Sequence, residues 1–248
     1  MAFVHLRSHT EFSVVDGTVR IDDLVKAAAK DGQPAVAVTD LSNLFGAVKL
    51  YSAARKKGVQ PIIGADVWIE PEESGKTPTR LLLLIQNRQG YLRLCELLGE
   101  AWTAPGQRSH AWVHWASLAA NNAGLICLSG ADLGSIGQAL INGDAAKAEA
   151  QATRLAETFP GRFYIELQRA GHPTNETHIR GAVPLAAKLG LPVVATHPIQ
   201  FSTPDDFEAH EARTCIAEGE TLGNPRRIKR FTREQYFKTG AEMQALFA

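Results

Sequence analysis

The chain has 248 residues, 45% of them hydrophobic and 21% charged, a composition typical of a folded globular protein rather than a disordered one. Lys plus Arg and Asp plus Glu both number 26, and this zero formal charge excludes a protein whose whole surface is basic for binding nucleic acid. Three widely spaced cysteines, no signal-peptide pattern and no long apolar run predict a cytoplasmic protein without a disulfide framework or membrane span.

Short aliphatic or β-branched runs recur along the chain and predict seven strands. Several of them lack the alternation of polar and apolar residues, which is typical of strands covered on both faces. The predicted strands are residues 3–6, 35–39, 61–69, 81–86, 125–129, 163–168 and 192–196.

Amphipathic segments separate most of these strands and predict helices at residues 21–31, 44–57, 90–102, 144–158, 174–189 and 204–218. Gly58, Gly161 and Gly190 stand where glycine caps the C-terminus of a helix. The regular alternation predicts an α/β fold, a closed or nearly closed parallel barrel of seven strands, with one strand–loop–strand exception at residues 70–79. An open doubly wound sheet is the alternative.

The end of the chain carries a helix signal of its own. Thr239 and Glu242 have the spacing of a capping box. Because the pattern of that helix stops at Ala248, we expect a longer parent protein. We predict a barrel in residues 1–203 and an extension in residues 204–248, which leads towards the next domain and forms one compact domain with the barrel.

Polar residues follow the predicted strands at several places, and the active sites of α/β barrels lie at the C-terminal ends of their strands. His9 and Asp16 can pair if the segment between them turns back; the alternative is that they only tie down loop backbone. The candidate residues at these ends are Arg7, His9, Asp16, Asp40, Asp66, Arg80, Ser129, Asp132 and His197.

Two further clusters have weaker functional signals. His110 and His114 have the spacing of a helical zinc pair but no accompanying third ligand, so we favour surface histidines beside packed tryptophans. A dense basic cluster predicts either contact with phosphate or a solvated or interdomain surface. Its residues are Arg226, Arg227, Lys229 and Arg230.

The chain resembles PHP (polymerase and histidinol phosphatase) domains, and most of all the N-terminal PHP domains of bacterial replicative DNA polymerase III alpha subunits. The resemblance covers essentially all residues and is carried by HLRSHTEFSVVDG, AVTDLSNLFGAVKLY, PIIGADVW and LPVVATHPIQF, in the order of the family. It implies a distorted (β/α)7 barrel at the start of a DNA-synthesising parent, whose Mg²⁺-dependent active site lies beyond this chain. It also implies two partners, the rest of the alpha subunit and the separate proofreading exonuclease (epsilon) subunit, with weak or no DNA binding by this part.

Active PHP domains hold three metal ions with nine ligands, and the resemblance places these ligands on residues of this chain. His9 and Asp16 match the family pattern, and Asp66 stands where the family has glutamate. The other six positions lack the family's ligand. They are Arg7, Leu41, Arg80, Ala131, Pro198 and Gln200.

Metal ions need deprotonated oxygen, imidazole or thiolate ligands, so we expect no metal and no catalytic residue in this domain. We hypothesise that the guanidinium groups of Arg7 and Arg80 fill the former metal cavity, pair with the remaining carboxylates and share the cavity with Asp40 and His197. The domain is then an inactive structural and docking module. The alternative is a residual metal-dependent phosphoesterase, a 3′–5′ exonuclease or pyrophosphatase; a free-standing sugar- or histidinol-phosphate phosphatase is disfavoured by the same ligand losses.

Overall fold

The computed structural model describes residues 3–71, 77–105 and 111–248. Its internal contacts divide the chain into two compact units. The first unit contains Met1–Ile63, Arg169–His172 and Thr196–Ala248, and the second contains Gly64–Gln168 and Pro173–Ala195. Residues 204–248 therefore belong to the same unit as the start of the chain, and the domain boundary after residue 203 stays a prediction.

Helices and strands alternate through most of the described residues, and none of these helices has the length and apolar content of a membrane span. The strands are β1 (Ala35–Val38), β2 (Gln60–Ile69), β3 (Thr79–Ile85), β4 (Trp112–Val113), β5 (Leu125–Leu128), β6 (Phe163–Gln168) and β7 (Val193–Thr196). The helices are α1 (Ile21–Lys30), α2 (Ala47–Lys57), α3 (Arg88–Thr103), α4 (Trp115–Ala120), α5 (Ser135–Ile141), α6 (Ala145–Thr158), α7 (Asn175–Leu189), α8 (Phe207–Glu218) and α9 (Gly240–Leu246).

In the first unit, helices α1 and α2 pack on strand β1, which pairs in parallel with the first residues of β2. Each helix turns its apolar stripe inward, as the 3.6-residue period of the sequence predicts. Gly58 ends α2 in the left-handed conformation, with φ of 70°. The core of this unit contains Val19, Ile21, Leu24, Val25, Ala28, Val36, Val38, Leu50, Ala54, Val59 and Ile199.

In the second unit, strand β3 runs antiparallel to both of its neighbours, β2 and β5. The pairs β2–β4 and β5–β6 are parallel, and β7 follows β6 in the strand order. The prediction of a parallel barrel is therefore wrong at β3, which follows the strand–loop–strand exception predicted at residues 70–79. The connection between β2 and β3 is too short for a crossover helix, so the chain has to return antiparallel. Of the predicted connector, residues 72–76 lie outside the described residues.

The predicted elements agree with the structure at the longer segments and fail at the short ones. Residues 3–6 form no strand but a single bridge from His5 to Val36, because the chain changes partner and Ser8 bridges Ile199 instead. Strand β4 and helices α4 and α5 are too short to produce a periodic pattern. The caps at Gly58 and Gly190 are confirmed, whereas α6 is capped by Phe159, two residues before Gly161. The α/β class is confirmed, and the closed barrel stays a prediction.

Candidate functional site

The second unit contains a buried ion pair between Asp66 on β2 and Arg80 on β3. In the antiparallel register, Arg80 on β3 lies opposite Trp68 on β2. Asp66 is two residues before Trp68, so its side chain lies on the same face of the sheet as those of Trp68 and Arg80. Arg80 Nε donates to Asp66 Oδ1 at 2.9 Å, and Arg80 Nη2 donates to Oδ2 at 2.6 Å. The guanidinium carbon also lies 4.5 Å from the centroid of the Trp68 ring. Asp66 is fully buried and Arg80 is 5% exposed, so this bidentate pair is shielded from solvent.

The residues of this unit do not fit the metal ions that the family resemblance implies. Both oxygens of Asp66 accept charge-assisted hydrogen bonds from a cation, which also repels a metal ion. Ala131, at another ligand position, carries only a methyl group. In the ranges that the structure describes, no three His, Cys, Asp or Glu side chains are grouped so that they could hold an ion.

In the first unit, His9 and Asp16 are hydrogen bonded, with 3.0 Å between His9 Nδ1 and Asp16 Oδ1. The short 3-10 helix Glu11–Ser13 turns the chain back between them, so this contact, predicted from the sequence, is confirmed. Gln200 Nε2 lies 3.4 Å from the same histidine nitrogen. Arg7 is also buried in this unit.

Asp40 holds the same turn together. Its carboxylate accepts hydrogen bonds from the Thr10 amide at 2.6 Å, the Thr10 hydroxyl at 2.9 Å and the Ser13 hydroxyl at 2.8 Å. Burial raises the pKa of Asp40 above its ordinary value, and these hydrogen bonds oppose that rise. Asp40 is therefore satisfied by the turn itself and has a structural role beside His9.

His197 and His5 form a pair of neutral buried histidines in the first unit. Their ring centroids are 6.2 Å apart. His5 Nε2 is hydrogen bonded to the Lys238 carbonyl at 2.7 Å, and His197 Nε2 to the Tyr236 carbonyl at 3.0 Å. Burial lowers the pKa of His5 to about 4 and that of His197 to about 3. A neutral imidazole bonded to backbone balances no charge, so His197 serves to hold the C-terminal segment.

The basic cluster divides into paired and unpaired cations. Arg227 Nη2 donates to Glu211 at 3.0 Å, and Arg230 Nε lies 3.2 Å from Glu218, both acids being on α8. Within the described ranges, Arg226 and Lys229 pair with no carboxylate. The cluster therefore presents two cations to solvent, and its contact with phosphate stays a prediction.

The histidine pair with helical spacing lies only partly within the described residues. His110 is outside them. His114 precedes helix α4 and lies 2.6 Å from Glu70, whose other oxygen accepts a hydrogen bond from the Trp115 amide at 2.8 Å. This partly exposed contact ties the start of α4 to the end of β2. It agrees with the expectation that His114 is a surface histidine.

The second unit also contains buried polar contacts around Asp132, a candidate from the sequence, and around Glu166, which the sequence analysis missed. Glu166 accepts hydrogen bonds from the Gly130 amide at 3.1 Å and from Gln168 Nε2 at 3.0 Å. Asp132 accepts from the Thr174 hydroxyl and from Asn175 Nδ2. The signal for Glu166 was a charged residue inside the otherwise apolar start of β6, FYIE.

We predict a large coupling between Asp66 and Arg80 in stability. Arg80→Met should lower the free energy of unfolding by about 3–5 kcal/mol, because it leaves a buried carboxylate without its cation. The double variant Asp66→Leu with Arg80→Met should recover most of this loss. Chemical denaturation of the three variants measures the coupling, with Arg226→Met as an exposed control. Additive effects of the two single substitutions would contradict the pairing.

We also predict that acid destabilises the first unit at pH values that are still higher than those at which carboxylates usually become protonated. The pKa values of His5 and His197 in the folded chain lie below the ordinary 6.5. As the pH falls through 6.5, these histidines therefore become protonated in the unfolded chain while they stay neutral in the folded chain. The free energy of unfolding keeps its full value above pH 6.5. Below pH 6.5, each histidine lowers it by up to about 1.4 kcal/mol per pH unit. The loss continues to about pH 4 for His5 and about pH 3 for His197.

Urea unfolding followed by circular dichroism, from neutral pH to about pH 5, measures this slope. Burial also lowers the pKa values of His178 and His210, which add to the slope. The comparison of the native chain with His197→Asn isolates one histidine, since the variant should show a shallower slope. An unchanged slope would show that His197 is protonated equally in both states.

Comparison with known proteins places the chain in a family. Residues 5–170 match the family model of the PHP domain. DNA polymerase III subunit alpha of Pseudomonas aeruginosa is 47% identical over 251 residues, which cover 100% of this chain. The same subunit of Escherichia coli K12 is 39% identical over 246 residues, which cover 99% of the chain. The chain spans 21% of the length of each relative.

Two solved structures share the fold at low sequence identity. A protein described as a metal-dependent phosphoesterase, from Bifidobacterium adolescentis, has a TM-score of 0.53 at 14% identity and covers 79% of this chain and 86% of its own. An amidohydrolase from Chromobacterium violaceum has a TM-score of 0.59 at 15% identity and covers 85% and 96%. These structures support a mixed α/β fold, and the match of residues 5–170 shows that the chain belongs to the PHP domain family.

Proposed function

We propose that the chain is the PHP domain of a bacterial DNA polymerase III alpha subunit and that it acts there as an inactive structural and docking module. Two relatives with this name align with 99–100% of its residues at 39% and 47% identity. Since the chain spans about a fifth of their length, template-directed DNA synthesis with Mg²⁺ belongs to the remainder of the protein. The expected fold of the domain is the distorted (β/α)7 barrel.

The observation that carries the inactive role is the ion pair of Asp66 and Arg80. A phosphoesterase of this family needs divalent cations at its ligand positions, and here a guanidinium group neutralises the carboxylate. The guanidinium is covalently attached and cannot exchange for an ion. The site therefore keeps the charge balance of a metal centre and loses its Lewis acid.

The proposed partners follow from the same assignment. The rest of the alpha subunit and the separate proofreading exonuclease (epsilon) subunit bind this domain, in the bacterial cytoplasm and at the nucleoid through the replication machinery. Because the net charge is zero, DNA reaches the domain through the parent protein rather than by a basic surface of its own.

One observation favours a residual phosphoesterase as the second candidate. His9 and Asp16 lie side by side and offer an imidazole nitrogen and a carboxylate, the donor types that divalent ions use. Against it, among the residues that the structure describes no third His, Cys, Asp or Glu side chain joins these two groups to hold an ion. This candidate therefore predicts at most one weakly held ion.

Calorimetric titration of the stripped chain with Zn²⁺ and with Mn²⁺ tests the inactive role. We expect no binding tighter than about 0.1 mM, which is about −5.5 kcal/mol. Weak binding that disappears in Asp16→Asn, together with phosphate release sensitive to EDTA, would favour the second candidate. Two or three tightly bound ions would overturn the proposal, because the ligands would then come from other residues.

Docking is tested separately, by mixing the chain with the proofreading exonuclease subunit of the same bacterium. Size-exclusion chromatography with light scattering should show a complex of one copy of each. The complex should persist in EDTA, since a docking module without metal ions does not depend on them. Separate elution of the two proteins at micromolar concentrations would contradict the docking role and leave the metal result unaffected.

A further inference from the structure

Helix α2 has an apolar face that the fold of the first unit does not use. Its inner face buries Leu50 and Ala54 completely. On the outer face, Val48 is 79% exposed and Tyr51 is 53% exposed, and Phe45, just before the helix, is 70% exposed. These three residues, spaced by three, are named here the α2 ridge. Single exposed apolar side chains are ordinary on protein surfaces, whereas three large ones in a row on one element mark an interaction surface.

Local contacts position the start and the flank of the α2 ridge before any partner binds. The Phe45 amide donates to Asn43 Oδ1 at 3.0 Å, and Asn43 Nδ2 donates to the Phe12 carbonyl at 2.9 Å. On the flank of the helix, Lys49 is paired with Glu11 at 2.8 Å. Because these contacts position the backbone at Phe45 and the flank of the helix, a partner would have to order only the exposed side chains of the ridge.

The C-terminal end of the same helix is cationic. Arg55, Lys56 and Lys57 form its last turn, where they also complement the helix dipole. The guanidinium carbon of Arg55 lies 5.9 Å from the centroid of the Tyr51 ring, so the positive charge adjoins the apolar row. As far as the structure describes the chain, no carboxylate pairs with any of the three. These three charges are therefore open to a carboxylate of a partner.

We propose that the α2 ridge and its cationic end bind an acidic amphipathic helix of another protein chain. Apolar side chains of that helix, spaced by three and four residues, would pack against the ridge, and carboxylates at one of its ends would pair with Arg55 and Lys56. Aromatic residues and arginine, present here together, dominate the energetics of protein interfaces. A nucleic acid fits less well, since the apolar half of the surface offers its phosphates no partner.

A designed peptide of about 18 residues, long enough to form a helix, serves as the probe. It carries leucines along one face and glutamates at one end, and a second peptide has lysines in place of the glutamates. Fluorescence anisotropy of the labelled peptides is measured against the complete 248-residue chain. The acidic peptide should bind at least about tenfold more tightly than the basic one. Equal binding of the two peptides would overturn the proposal.

Variants of exposed residues locate the binding without disturbing the core. Val48→Asp should weaken binding of the acidic peptide at least about tenfold, and Arg55→Glu with Lys56→Glu should reverse the preference towards the basic peptide. Ile216→Asp on α8 is the matched control, because Ile216 is 81% exposed and lies outside the α2 ridge. This variant should bind the acidic peptide as tightly as the native chain does. Thermal melting confirms that each variant is folded.

Two outcomes would refute this assignment. Undiminished binding by Val48→Asp would show that the peptide binds elsewhere. Sedimentation that reveals a dimer of the chain, dissolved by Val48→Asp, would show that the occupant is a second copy instead. Neither outcome bears on the metal titration or on the mixing experiment with the exonuclease, so the proposed function stands or falls independently.

Discussion

A carboxylate buried in a protein needs a cation or several hydrogen-bond donors, and at Asp66 it has the guanidinium of Arg80. The cost of removing both charges from water is offset by two short hydrogen bonds and by contact with the Trp68 ring. Packing around this pair constrains the backbone that follows β5. A Cβ atom at Gly130 would collide with the Arg80 carbonyl oxygen, and Gly130 also has φ of 79°, which favours glycine.

The first unit satisfies its buried polar groups mainly by neutral hydrogen bonds. His5, His197 and His210 each hold a backbone carbonyl with one ring nitrogen, and burial lowers the pKa of each. Asp40 relies on hydroxyl and amide donors of the turn at Thr10 and Ser13. Both units thus use polar residues at the strand ends to fix loops, and residue types suited to catalysis hold structure instead.

The sequence predicts those features that depend on neighbours along the chain. Strand β6 has its predicted bounds, and the capping box of Thr239 and Glu242 is formed. The antiparallel course of β3 could not be read from its own apolar sequence; the signal for it was the short connector at residues 70–79. The partners of Asp40 were also beyond local pattern: it was expected in the cavity, but the 3-10 turn brings Thr10 and Ser13 to it.

In the proposed inactive domain an internal cation takes the place of metal ions, and this changes how the fold is stabilised. A bound ion stabilises the folded state by an amount that grows with the logarithm of its concentration relative to its dissociation constant, and it is lost to chelators. The Arg80 side chain is part of the protein and is present in every copy. A module that holds partners in place gains from this exchange, because its shape no longer depends on the supply of an ion. On the same proposal the domain has no hydrolytic chemistry, and its outer surfaces, such as the α2 ridge, account for its function.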